Sequence, residues 1–184
     1  MADPIHPIVL VPAYNEQTTV GCIVNQVRRR WGLPVVVIDD CSTDATARTA
    51  RAAGATVLPL MVQLGAWGAI QTGLRYALRH GYRTAITLDA DGQHEPDSIG
   101  ILLEPLADGL ADVSIGAFPG RASRARQIAW SYFRWLTGLE LEDITSGFRA
   151  YNHAAMTALA SREASLLDYQ DVGVLLILRR RGLR

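Results

Sequence analysis

A chain of 184 residues, 49% hydrophobic and 20% charged, has the length and apolar content for one globular domain with a real core. Its eighteen acids balance eighteen bases, so no net field draws it to nucleic acid, and no acidic or basic tail stands out. All eighteen bases are arginine, which excludes Schiff-base lysine chemistry, a Walker A loop and a protein-kinase lysine.

Ile8–Pro12 is a short apolar run and reads as a buried strand. Glu16–Trp31 then carries Val20, Ile23, Val24 and Val27 at helical spacing, with Arg28–Arg30 at the negative end of the helix dipole. Gly32 and Pro34 stop that helix, and Pro34–Ile38 is the second strand. Ser42 or Thr43 is the expected cap of a helix over Asp44–Ala53, which Gly54 ends. Thr56–Leu60 is a third strand, Gly65–His80 a helix with Gly81 at its end, and Thr84–Leu88 a fourth strand. Pro96 suits the first turn of a helix reaching Ala107, and Asp112–Ala117 is a fifth strand. A helix is expected over Ser123–Thr137, and Val172–Leu178 reads as a core or interfacial helix. Strands that alternate with helices and read as continuous Val, Ile and Leu indicate a mostly parallel sheet covered on both faces. The expected architecture is a doubly wound, three-layer α/β/α domain spanning 1–184.

Cys22 and Cys41 form neither a CxxC nor a disulfide framework and read as small buried apolar residues. No basic stretch precedes an apolar segment at the N-terminus, and no run of about 18 apolar residues occurs. A reduced, cytoplasmic compartment is expected.

Open α/β sheets bind ligands at the carboxyl ends of their strands. There the chain places Ala13-Tyr14-Asn15-Glu16, Asp39-Asp40-Cys41-Ser42-Thr43-Asp44 and Asp89-Ala90-Asp91-Gly92-Gln93-His94. The edge is acidic and calls for a counter-charge, for which a divalent cation with oxygen ligands is economical. Asp89 and Asp91, two apart, point the same way in extended backbone and can hold Mg2+ or Mn2+ together with substrate phosphates. Read singly, such an Asp-x-Asp-Gly is also ordinary turn chemistry. Asp40 can accept from a base N–H or a ribose hydroxyl, with Tyr14 and Glu16 beside the same nucleoside. Gly65-Ala66-Trp67-Gly68 and Gly73 allow close backbone approach at a helix start, either for an anion or for packing on the sheet.

VPAYNE, VVVIDDCSTDAT, GAWGAIQTGLRYA, ITLDADGQHEPD and DITSGFRAYN follow one another in this order. Together they resemble the family 2 glycosyltransferases of GT-A fold, and within them the polyprenyl-phosphate sugar synthases, the group of dolichol-phosphate mannose synthase. The resemblance covers nearly the whole chain. It implies that Pro12, Tyr14, Glu16 and Gly65 hold a nucleotide, with Asp40 on the base and a UDP or GDP donor. It implies further that Asp89 and Asp91, completed by Gln93, hold Mg2+ or Mn2+. Arg121, Arg124 and Arg126, with Ser131, fall where such enzymes grip an acceptor phosphate. Arg149, in the SGFR turn, is expected to bind phosphate or brace the site. Gln63 stands where the family often has Asn. The family pattern continues past Arg184, so the chain reads as truncated at its C-terminus.

The expected reaction is inverting transfer of a sugar to a polyprenyl phosphate at the cytoplasmic membrane face, where a membrane partner protein is compatible with the resemblance. A lipid phosphate is already ionised at neutral pH, so arginines rather than a carboxylate base should line the acceptor side. Transfer to a saccharide hydroxyl would instead require a carboxylate base, for which Asp143 and Asp171 are the candidates. A donor-binding fragment without turnover is the reading from outside enzymes. A nucleotidyltransferase is disfavoured, because no Gly-rich loop follows the first strand.

Overall fold

The computed structural model describes residues 7–90, 96–116, 147–166 and 172–184. The first two strands, β1 (Pro7–Ala13) and β2 (Val35–Asp39), are nearly all buried because both of their faces are covered. Ile8, Leu10, Val36 and Ile38 face one core, while Val9, Val11, Val35 and Val37 face the other, the period of two expected of extended chain. With β3 (Thr56–Pro59) and β4 (Thr84–Thr87) they form the parallel half of a six-stranded sheet. Its order is β3-β2-β1-β4-β6-β5, where β5 is Val113–Ile115 and β6 is Arg149–Asn152. β6 runs antiparallel to both neighbours, so the sheet is mixed.

The helices α1 (Val20–Trp31), α2 (Thr46–Ala52) and α4 (Ile99–Ala107) cover one face. On the other lie α3 (Gly65–Arg79), α5 (His153–Leu159) and α6 (Val172–Arg180). α1 buries Val20, Ile23, Val24 and Val27, the stripe its spacing predicts. It begins four residues later than expected, because Glu16 closes a turn: its carbonyl accepts from the Thr19 and Val20 N–H groups, and its carboxylate accepts from the Thr19 hydroxyl at 2.8 Å. α3 approaches the sheet closely at Gly73, where a Cβ would come within 2.9 Å of Ile38 Cδ1 and 3.1 Å of Leu10 Cδ1. Three polar side chains of α3 reach across to the carbonyls that follow or end α5: Trp67 Nε1 to Ala164 O (2.8 Å), Gln71 Nε2 to Leu159 O (2.7 Å) and Arg75 Nε to Ala160 O (3.1 Å).

Several expectations need correction. β6 and α5 carry no strong signal in the sequence and add two elements to those expected from it. The turn between them is held by Asn152, whose side chain caps α5 through the Ala155 N–H at 2.9 Å. Neither Ser42 nor Thr43 caps α2, which starts at Thr46. Both instead serve Asn15, which has a left-handed φ of 57°. The Asn15 N–H donates to Ser42 Oγ, and Asn15 Oδ1 accepts from the Thr43 N–H. Cys22 and Cys41 are exposed and free rather than buried. Cys22 sits off the apolar stripe of α1, and Cys41 occupies the turn after β2 with φ of 64°. α6 buries Val174, Leu175, Ile177 and Leu178, so its apolar stretch belongs to the core. The expected helix over Ser123–Thr137 lies outside the described residues.

Candidate functional site

The turns after β1, β2 and β4 meet at the carboxyl edge of the parallel strands, beside the N-terminus of α3. Pro12, Tyr14, Glu16, Asp40, Gly65 and Asp89, all expected nucleotide or metal positions, line one cleft of about 360 Å3 there. That volume is at the small end of the range for small-molecule sites. Ala13, Gln63, Ala66, Ala69 and Ala90 complete the wall. Ala66, in the glycine-rich helix start, and Ala69 are three apart on α3, a spacing that puts both on the helix face turned to the cleft.

The first two turns are stitched together by side chain to backbone bonds. The Glu16 N–H donates to Thr46 Oγ1 at 2.7 Å. The Gln17 N–H donates to Asp44 Oδ2, and the Ala45 N–H returns a bond to Gln17 Oε1. Asp44 also accepts from the Thr46 N–H and hydroxyl. Desolvation, the largest single influence, pushes its carboxyl up, but the bonds from Thr46, Gln17 and its own backbone together outweigh that and hold it below the ordinary carboxylate value. This web fixes where Tyr14 and Glu16 enter the cleft. The Tyr14 ring is 45% exposed, open to a ligand's face.

Asp40 is 3% exposed and does more than face the cleft. Its two carboxylate oxygens accept from the Leu64 N–H at 2.7 Å and the Gly65 N–H at 2.8 Å. A carboxylate from β2's end thus caps α3 where the local residue, Leu64, has no polar side chain, and its charge suits the positive end of that helix. Gly65 adopts φ of 76°, which its lack of a side chain permits. Further lone pairs remain on a carboxylate with two such bonds.

Asp89 reaches the cleft from the end of β4. It stands against Gly147: a Cβ at Gly147 would overlap the Asp89 carboxylate oxygens and lie 2.6 Å from its Cγ. Thr87 Oγ1 donates to the Gly147 carbonyl at 2.7 Å and fixes that backbone. Gly147 belongs to the SGFR stretch that the sequence singles out, but its reason is this close approach. Asp91 and Gln93 lie outside the described residues, as do Arg121, Arg124, Arg126, Ser131, Asp143 and Asp171. Among the described residues no three His, Cys, Asp or Glu side chains converge as a metal cage. The cleft's charged donors, Asp89, Asp40 and Glu16, are all oxygen ligands, which fit Mg2+ or Mn2+ rather than a soft metal.

Arg149 is fully buried and is not among the residues that line this cleft. Tyr151, also fully buried, keeps a hydroxyl that meets no hydrogen-bond partner among the described residues. Burial raises its phenol above the ordinary value; the Arg149 charge and the polar side chains of Thr87 and Arg149 close to the hydroxyl oppose that rise, and the Asp89 charge adds to it. The unfolded phenol therefore ionises first, and stability is complete below about pH 10 and declines as pH rises towards the folded value. Tyr151→Phe removes both the alkaline decline and an unsatisfied hydroxyl. Urea denaturation should show the variant equal to wild type or up to about 1 kcal/mol more stable near neutrality. The gap should widen at about pH 10.5.

No helix among the described residues is long and apolar enough to cross a membrane. The sequence matches the profile of glycosyl transferase family 2 over residues 8–165. An undecaprenyl-phosphate mannosyltransferase of Micrococcus luteus is 32% identical over 170 residues, covering 83% of this chain and 68% of that protein. A polyprenol monophosphomannose synthase of Mycolicibacterium smegmatis is 30% identical over 166 residues, covering 81% of this chain and 62% of that one. Glucosyl-3-phosphoglycerate synthase from Mycobacterium tuberculosis, crystallised with phosphoglyceric acid, superposes with a TM-score of 0.78 at 21% identity, over 95% of this chain and 65% of that chain. The same synthase in complex with Mn2+, UDP-glucose and phosphoglyceric acid gives 0.69 at 21% identity, over 83% and 58%. The likeness to these structures is one of fold, the three-layer α/β arrangement.

Proposed function

Since the chain belongs to glycosyl transferase family 2, we propose that it moves a sugar from a nucleoside-diphosphate donor to a polyprenyl phosphate, with inversion, at the cytoplasmic face of a membrane. One observation carries this reading. Six expected donor and metal positions, from four separate stretches of chain, converge on one cleft at the strand ends. The names of the two relatives, both enzymes of polyprenyl phosphates, support the acceptor class.

In this reading Tyr14 lies against the nucleoside and Asp40 accepts from its base or ribose. The α3 N-terminus, entering the cleft at Gly65 and Ala66, faces the diphosphate, for which a helix N-terminus is well suited. Asp89, with Asp91 and Gln93, would hold Mg2+ or Mn2+, which as a Lewis acid supplies charge neutralisation at the leaving diphosphate. Arg121, Arg124 and Arg126 hold the acceptor phosphate. Its ionised oxygen forms the new bond to the anomeric carbon as the bond from that carbon to the diphosphate oxygen breaks on the opposite face. The acceptor carries no proton to remove, so Asp143 and Asp171 are not required as bases.

The reading is tested by melting the protein with UDP- and GDP-sugars in Mn2+, with and without chelator, then offering a polyprenyl phosphate. One donor should raise the melting temperature in a chelator-sensitive way, and sugar should appear on the lipid. Donor binding indifferent to chelator would remove the metal from the reading. Donor binding without transfer to the lipid phosphate would remove the acceptor.

A further inference from the structure

β4 and β6 pair antiparallel with Ala85 opposite Tyr151 and Thr87 opposite Arg149. Directly opposed residues share a face of the sheet, as do residues two apart. Carried two residues past Thr87, the same register sets Asp89 opposite Gly147, which is where the missing Cβ makes room for its carboxylate. Thr87, Asp89, Arg149 and Tyr151 therefore form one polar strip, with Asp89 at its open end in the cleft and the others buried behind it.

Arg149 is the largest fully buried side chain described. A guanidinium withdrawn from water is costly unless an opposite charge and hydrogen bonds meet it. Its Cα lies one pleat repeat, roughly 7 Å at 3.3 Å per residue, deeper in the sheet than the Asp89–Gly147 pair, well within the reach of a side chain of its length. The charges of Arg149 and Asp89 both reach the Tyr151 hydroxyl, which lies on the same strip.

We infer that Arg149 is a positioning residue that orients the Asp89 carboxylate from behind and so tunes the metal and diphosphate site without touching donor or acceptor. This rests on the donor-site reading given above. Groups behind a ligating carboxylate commonly change metal affinity about 10–100-fold when removed. Lysine keeps the charge but not the planar fork, so it should replace arginine only in part.

The test measures UDP affinity of the 184-residue chain in Mn2+ and in chelator, for wild type, Arg149→Met and Arg149→Lys. The Mn2+-dependent gain in affinity should fall about 10–100-fold in Arg149→Met and by a smaller factor in Arg149→Lys, with affinity in chelator unchanged. A merely structural role would lower the melting temperature and leave that gain as in wild type, which overturns the inference. If Arg149→Met does not fold, Arg149→Lys decides: a wild-type gain in it overturns the inference equally. A wild-type protein that binds UDP with no gain from Mn2+ overturns the metal reading, and this inference with it. A wild type with the gain and variants that keep it overturn this inference alone.

Discussion

Replacing Gly147 with alanine is expected to leave the protein folded and to cut sugar transfer by about 100-fold. The new Cβ needs the space that the Asp89 carboxylate fills. Something must yield, and the backbone at 147 is held on both sides. Its carbonyl accepts from Thr87 Oγ1 at 2.7 Å. Its neighbour Phe148 is fully buried and packed so closely on Gly116 that a Cβ there would come within 2.5 Å of the ring. The Asp89 carboxylate, the end of a short side chain opening on the cleft, is the cheaper group to move. The stability cost should therefore stay near the low end of the 1–3 kcal/mol typical of an inserted methyl, about 1 kcal/mol. The functional cost is large, because a displacement of about 1 Å at a reacting centre is enough for a hundredfold loss. Calorimetric unfolding together with a transfer assay separates the two. Wild-type transfer in a folded Gly147→Ala protein would mean that Asp89 is not held where the chemistry occurs.

Asp40→Ala should act in the opposite sense, chiefly on stability. It strands the Leu64 and Gly65 N–H groups, which now donate at 2.7 and 2.8 Å to a carboxylate that is 3% exposed. Hydrogen bonds to a charged acceptor contribute about 1.5–3 kcal/mol each, and the two share one residue, so a loss of about 3 kcal/mol is expected. For a chain of this size that lowers the melting temperature by about 6–12 °C. Asp40→Asn should recover part of it, since one carbonyl oxygen can still accept while the amide's own N–H groups oppose the helix N-terminus. Donor affinity should fall in both variants, because the same two bonds hold Gln63 and Gly65 at the cleft wall. A melting temperature unchanged in Asp40→Ala would show that the α3 N-terminus does not depend on this carboxylate.

Much of the parallel half was legible in the sequence for a simple reason. Strands buried on both faces must be apolar throughout, and the helices between them end at glycines, so local composition and global burial agree. β6 was not legible. Arg149-Ala-Tyr-Asn has a charged first residue and no alternation, and it is a strand only because β4 and β5 flank it. The same divide runs through the site. Tyr14, Glu16, Asp40 and Asp89 were readable because polar clusters after buried strands are conspicuous. Their partners were not. The bonds on Asp40 come from backbone N–H groups 24 and 25 residues away, which no side chain announces. Ser42 and Thr43 have the chemistry of helix caps, and only the left-handed Asn15, supplied by another turn, diverts them.

The late arrival of β6 has a consequence for how the chain comes off the ribosome. β1 to β4 and their helices can assemble from local crossovers, but β4 then ends the sheet as an open edge, with unpaired backbone groups and a fully buried pattern of residues. Closing that edge requires residues 149–152, more than 60 positions downstream. Over the same interval Trp67, Gln71 and Arg75 wait for carbonyls 97, 88 and 85 residues further on. A nascent chain halted between β4 and β6 therefore presents an apolar sheet edge and unmet polar groups on α3, the kind of surface that recruits other unfolded chains. Slow synthesis through this interval should raise aggregation, and a helper that shields sheet edges should matter most during it.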